Sequence, residues 1–142
     1  MSLRELDNLV RIGQLKNEPR NEKEIGRLLE LARTRLADAQ LDRASREGRF
    51  SSAYGAAHAA SLAALRLHGY RSENRYTVFQ CLTHTVGWTA TRWRVLDVAH
   101  QKRNLAEYEG FLDIEESTIS ELRAVAAQLI DEVFAMVGGN GA

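Results

Sequence analysis

Cysteine and proline are the scarcest residues of this 142-residue chain, each occurring once, as Cys81 and Pro19. One cysteine excludes an internal disulfide framework and a multi-cysteine zinc site. Net charge is missing too, because 19 basic residues face 19 acidic ones. Nothing in that balance suggests a bulk nucleic-acid coat. Long apolar runs are absent: the longest uncharged stretches, Phe50–Leu65 and Tyr76–Thr91, fall short of the ~20 residues that span a bilayer. Met1–Ser2–Leu3–Arg4–Glu5 runs straight into charge, unlike a secretory signal. The expectation is a cytoplasmic chain with no membrane partner. Strand signals are almost absent, with no sustained apolar–polar alternation and no Asn-Gly or Asp-Gly hairpin turn.

What is present is an ordinary apolar fraction of 44%, arranged at helical spacing. A chain of this length suits one domain that hides roughly two-thirds of its unfolded surface. A weak helix is expected at about Leu3–Leu15, followed by a connector in which Pro19 biases Glu18 away from helix. A long second helix is expected over Asn21–Glu47, with Ile25, Leu28, Leu29, Ala32, Leu36, Ala39 and Ala44 as its stripe and Gly48 as its stop. Alanines crowd Ser51–His68, so that helix should be central and closely approached, and Gly69 should end it. Ser72 is expected to cap a helix reaching Val86, with Gly87 closing it. A further helix covers Thr89–Tyr108, and a capping-box pattern at Asp113–Glu116 opens a last one reaching Val137.

The expected fold is therefore all-α: an antiparallel, up-and-down bundle of four to five main helices plus a short N-terminal helix. Residues 1–20 form the N-terminal helix and connector, 21–137 the bundle, and 138–142 a flexible tail.

Charge is uneven along the chain. Ala63–Arg103 carries an excess of five positive charges and Glu107–Glu132 an excess of seven negative ones. Either the two regions neutralise each other across the bundle, or the basic one meets phosphate.

Few motifs carry chemistry. There is no glycine-rich phosphate loop, no G-x-S-x-G and no H-E-x-x-H. No glutamate stands three positions before His58, His68, His84 or His100, which argues against a di-metal carboxylate bundle. Cys81 and His84 lie one helical turn apart but lack a second pair. No metal and no cofactor is expected. Tyr54 and His58 share a helical face, which fits a packed tyrosine beside a hydrogen-bonded histidine.

The segment His100–Gly110 is more telling. Arg103 has the fork to hold a phosphate through two hydrogen bonds and to stabilise charge as a phosphodiester is attacked. Asn104 has the donor to position it. His100, three residues before Arg103, lies beside it on a helix and supplies an imidazole. Tyr108, with an ordinary pKa near ~10, donates rather than accepts a proton at neutral pH. Lys102, Arg92 and Arg94 add positive charge along the same helix. The competing explanation for Arg103 is an ion pair with Glu107 four residues on.

Here the chain resembles the HEPN family of small helical bundles (higher eukaryotes and prokaryotes nucleotide-binding domains). The matching residues are Arg103, Asn104 and, after Leu105–Ala106–Glu107, Tyr108. Tyrosine stands where the RNase-type members have histidine, as in branches with an arginine, an acid and a tyrosine. Upstream, Phe50–Ser51–Ser52–Ala53–Tyr54, Ala57–His58–Ala59–Ala60 and Leu67–His68–Gly69–Tyr70 resemble the family's alanine-rich second helix and its glycine stop. The likeness covers about Leu28–Met136.

The resemblance implies RNA or nucleotide binding and a metal-independent RNase of the toxin–antitoxin kind. Arg103, Asn104, Tyr108 and His100 would be its catalytic residues, and Arg103, Lys102, Arg92 and Arg94 would contact RNA. It also implies a homodimer with two motifs facing one cleft, and a nucleotidyltransferase-type antitoxin as partner. The histidine-to-tyrosine change leaves open an alternative, a catalytically silent module that binds a partner protein.

Overall fold

The computed structural model describes residues 2–110 and 113–141. Helix α1 spans Ser2–Arg11, α2 Glu22–Asp38, α3 Arg46–Leu67, α4 Arg75–Gln80, α5 Leu82–Thr85, α6 Ala90–Glu109 and α7 Glu116–Gly141. Two short strands, β1 Lys16–Asn17 and β2 Tyr70–Arg71, pair antiparallel, with Lys16 opposite Arg71 and Asn17 opposite Tyr70. The fold is all-α, as the helical spacing predicts. No helix among the described residues is long and apolar enough to cross a membrane.

Ion pairs and packing give the direction of each main helix. Glu24 near the start of α2 meets Arg66 near the end of α3, and Arg35 near the end of α2 lies against Gly55. The two helices are therefore antiparallel. Arg92 at the start of α6 pairs with Glu132 late in α7, so these are antiparallel too. Helices α2, α3, α6 and α7 make an up-and-down bundle.

Helix α3 is its axis. Its alanines at 53, 56, 57, 59, 60, 63 and 64 are all buried, because small side chains let α2, α4, α5, α6 and α7 all approach it. Gly69, at φ +89°, closes it with a left-handed turn that a side chain would strain. A second, smaller core of Leu6, Leu15, Leu65, Tyr70, Val78 and Cys81 seats α1 and the strands.

Several boundaries differ from the expected ones. The second helix is shorter than the expected Asn21–Glu47, and the third starts earlier than Ser51. Helix α2 ends at Asp38, and α3 begins at Arg46, capped by Ser45, whose Oγ accepts from the Gly48 amide at 2.9 Å. Gly48 thus lies in the first turn of α3 rather than stopping α2. Ser72 does not cap the next helix; Asn74 does, accepting from the Thr77 amide at 3.0 Å. That helix is interrupted at Cys81, which caps α4 and precedes α5. Helix α7 starts at Glu116, its Glu115 carbonyl taking the first helical bonds. It continues through Gly138 to Gly141, past the expected helix end at Val137.

The connector is pinned by Arg66, only 1% exposed. Its guanidinium donates to Glu24 Oε1 at 2.7 Å, the Glu18 carbonyl at 2.8 Å and the Pro19 carbonyl at 2.7 Å. Arg71 adds bonds to Glu18 and Glu24. These pairs hold the Glu24 carboxyl below its ordinary range, with the Arg66 hydrogen bond the largest cause. Of the basic middle, Arg66 and Arg71 are thus paired with Glu18 of the connector and Glu24 of α2, and Arg92 with Glu132 of α7.

Candidate functional site

A cleft of about 370 Å³ opens where α2, α3, α4 and α6 meet. Buried Phe79 of α4 is the hub of the aromatic cluster behind it. Its ring meets Tyr54 edge-on at 5.9 Å, His58 at 6.0 Å and His100 at 6.4 Å. Tyr54 and His58 stand on one face of α3, as their spacing predicts. Tyr54 does not bond to His58, however; its hydroxyl lies 2.9 Å from His100 Nδ1 on α6. Asn104 Nδ2 lies 3.2 Å from His100 Nε2. With the amide in that orientation, Nε2 accepts and Nδ1–H donates to the Tyr54 oxygen. The Tyr54 hydroxyl hydrogen is then free for another acceptor.

Three guanidiniums from three helices reach this cleft: Arg35 of α2, Arg75 of α4 and Arg103 of α6. Arg75 and Arg103 each stand 5.4 Å from the Tyr54 ring centre, within reach of a cation–π attraction. Arg35 lies along α3 at Gly55, where an added Cβ would come within 3.3 Å of its Nη1. Among the described residues, neither Arg35 nor Arg75 has a carboxylate within 4.0 Å. Arg103 has the expected pair with Glu107, but at 3.6 Å and on a side chain 37% exposed. Such a pair contributes little. The cleft lining contains no carboxylate at all. Its apolar side is Leu28, Leu31, Ala59 and Leu62.

Positive surroundings act on the imidazoles. Burial, and then the charges of Arg75, Arg103 and His100, push His58 down to about 4. Burial also lowers His100, with Arg75 and Arg103 adding to the effect and Asp97 opposing it. Both rings are therefore neutral at pH 7. His58 makes no hydrogen bond among the described residues, contrary to the expectation of a satisfied histidine.

The expected site residues are split by this geometry. Arg103, His100 and Asn104 stand together on α6, but of the three only Arg103 lines the cleft, and His100 is joined to it through Tyr54. Tyr108 does not line the cleft and is 94% exposed. Arg92 is engaged elsewhere, stacked 4.2 Å over Trp88 and paired with Glu132 at 3.0 Å. Arg94 is exposed and Lys102 half-buried, and neither lines the cleft. Arg35, Arg75 and Phe79 were not foreseen as site residues. Cys81 is buried and pushed up to about 12 by desolvation, and no group of three or more metal-ligating side chains occurs among the described residues. Comparison with family models, curated proteins and solved structures found no match to this chain.

Proposed function

We propose that this chain is a HEPN-like protein that binds RNA or a nucleotide through phosphate in the cleft between α2, α3, α4 and α6. The observation that carries the reading is the convergence of Arg35, Arg75 and Arg103 on a hollow whose lining has no carboxylate. Like charges gathered without partners cost free energy, and an anion offsets that cost. Guanidinium forks match phosphate oxygens in pairs. In this reading Arg103 holds phosphate together with Arg35 and Arg75.

The stronger form of the reading is a metal-independent RNase of the toxin–antitoxin kind. A neutral imidazole beside guanidiniums is equipped to take the proton of an attacking 2′-hydroxyl while the guanidiniums stabilise the added charge. His100 is the candidate base through Nε2, which has to exchange its bond from Asn104 for the 2′-hydroxyl while Nδ1–H stays on Tyr54. The bond from phosphorus to the 5′-oxygen breaks as the 2′-oxygen bonds, and that leaving oxygen takes its proton from water. Exposed Tyr108 is no base. Fluorescence anisotropy with single-stranded RNA, and incubation of total RNA in EDTA, test the two forms. Arg103→Ala should weaken binding at least ~10-fold in a folded protein, and His100→Ala should remove any cleavage. Unchanged binding by Arg103→Ala would overturn the assignment. Intact RNA from the parent protein would limit the function to binding.

The reading in which a protein partner docks has its own support. Val98, Leu105 and Tyr108 are exposed on α6 at spacings of seven and three, which aligns them on one outward stripe. A homodimer through that stripe would be split by Leu105→Glu, as read by light scattering.

A further inference from the structure

We infer that the cleft takes a terminal phosphomonoester, on a free nucleotide or a nucleic-acid end, rather than an internal phosphodiester. This inference rests on the phosphate-binding reading above, narrows its ligand, and runs against the RNase form, which needs an internal diester in the cleft.

The first reason is charge. A phosphomonoester carries roughly −1.5 to −2 at pH 7, whereas a diester carries a single charge. Three guanidiniums with no carboxylate in the cleft lining favour the more charged group.

The second reason is that the cations form an island. Arg103 is also part of the wall of an adjoining hollow of about 350 Å³, which contains Glu47 and Glu107. Part of the cleft's wall is apolar, formed by Leu28, Leu31 and Leu62. A strand passing through needs a basic track for its successive phosphates, and neither side offers one. A chain end needs only one anionic seat. The leucine wall suits a base or sugar face, and the two carboxylates are hydrogen-bond acceptors suited to ribose hydroxyls.

His58 reports occupancy. It faces Arg35 on α2, Arg75 on α4, Arg103 and His100 on α6, and Tyr54 on its own helix. Burial is the larger cause of the lowered pKa of this ring; a dianion among these cations offsets the smaller part their charges add, so the pKa should rise on binding.

The experiment uses the full chain and one hexanucleotide RNA in three forms: hydroxyl at both ends, 5′-phosphorylated and 3′-phosphorylated. Adenosine 5′-monophosphate, adenosine and inorganic phosphate complete the set. Affinity is read by calorimetry, and the His58 ring by NMR. At least one phosphorylated end should bind ~10-fold or more tightly than the hydroxyl form. The nucleotide should likewise exceed the nucleoside, and Arg75→Gln should erase both preferences while leaving the circular dichroism unchanged. The His58 pKa should rise with the phosphorylated ligands only. Equal affinity for all three RNAs, weakened by Arg103→Ala, would overturn the end preference and leave RNA binding standing. Inorganic phosphate binding as tightly as the nucleotide would overturn the nucleotide part. No binding of any probe would overturn both readings.

Discussion

His58 offers the sharpest quantitative test, because its position ties the cleft to the stability of the whole fold. Unfolded, it protonates near 6.5; folded, it waits until about 4. That difference corresponds to ~3 kcal/mol between the charged and neutral forms. The sign follows from proton counting. Between these two values the unfolded chain binds more protons than the folded one, so stability rises with pH across the interval. The contribution is complete above 6.5, falls by ~1.4 kcal/mol per pH unit as the solution is acidified, and is exhausted near 4. Other groups titrate as well: His100 is lowered in the same direction, and Glu116 is held down to about 2 by its hydrogen bonds to Arg49. The comparison is therefore with His58→Gln, which keeps those groups and removes one. Urea unfolding of the two proteins from pH 7.5 to pH 4 should show the parent losing ~3 kcal/mol more than the variant. The ring proton of His58, followed by NMR, should titrate near 4 in the parent. Arg75→Gln or Arg103→Gln should raise that value without restoring it fully, since burial is the larger cause. Parallel stability curves, or a ring titrating at 6.5, would refute the account of the cleft.

Three further outcomes follow from the structure. Arg66→Ala leaves Glu24 Oε1 and two connector carbonyls without their donor, while Arg71 still pairs with Glu24, and should cost ~1–3 kcal/mol in urea unfolding. A loss below ~1 kcal/mol would show that the clamp is dispensable. Gly55→Leu fills the space against Arg35 and should abolish nucleotide binding in calorimetry while the helical spectrum persists. Retained affinity would exclude Arg35 from the seat. Cys81, buried with its thiol pushed up to about 12, should resist thiol reagents in the native protein and react fully in urea; rapid native labelling would contradict its place in the small core.

Much of the fold is legible in the chain because its helices carry local marks. Gly69 and Gly87 end their segments where the left-handed turn is needed, and the alanines of α3 announce a helix that others approach closely. The break between α2 and α3 carries no such mark. Ala39 and Ala44 continue the apolar spacing across it, and Ala39 closes α2 with ordinary right-handed backbone. The true signal is Ser45, which caps a helix whose third residue is glycine rather than the glutamate of a capping box. The site divides in the same way. His100, Arg103 and Asn104 are neighbours on one helix, so spacing alone joins them. Arg35 and Arg75 are single arginines on separate helices, and only the antiparallel packing of α2 on α3, with α4 beside them, brings them to Arg103. Tyr108 shares the motif in sequence, but its place at the exposed end of α6 turns it away from that cleft.

The small core beneath α1 has a consequence for motion. Leu6 and Leu15 pack with Val78 and Cys81, the residues on either side of Phe79 and Gln80 in the short α4–α5 segment. Tyr70 adds a hydrogen bond to Asp7. The N-terminal segment contributes no side chain to the cleft, yet it braces the helix that carries Arg75 and Phe79. Opening of this segment as a unit would uncover Val78 and Cys81 while α4 stays seated on α3 and α6 through Phe79. Amide exchange in α1 should then run ahead of that in α4 and the main bundle. The seat for the ligand would outlast the small core, because the helix that carries Arg75 is anchored twice.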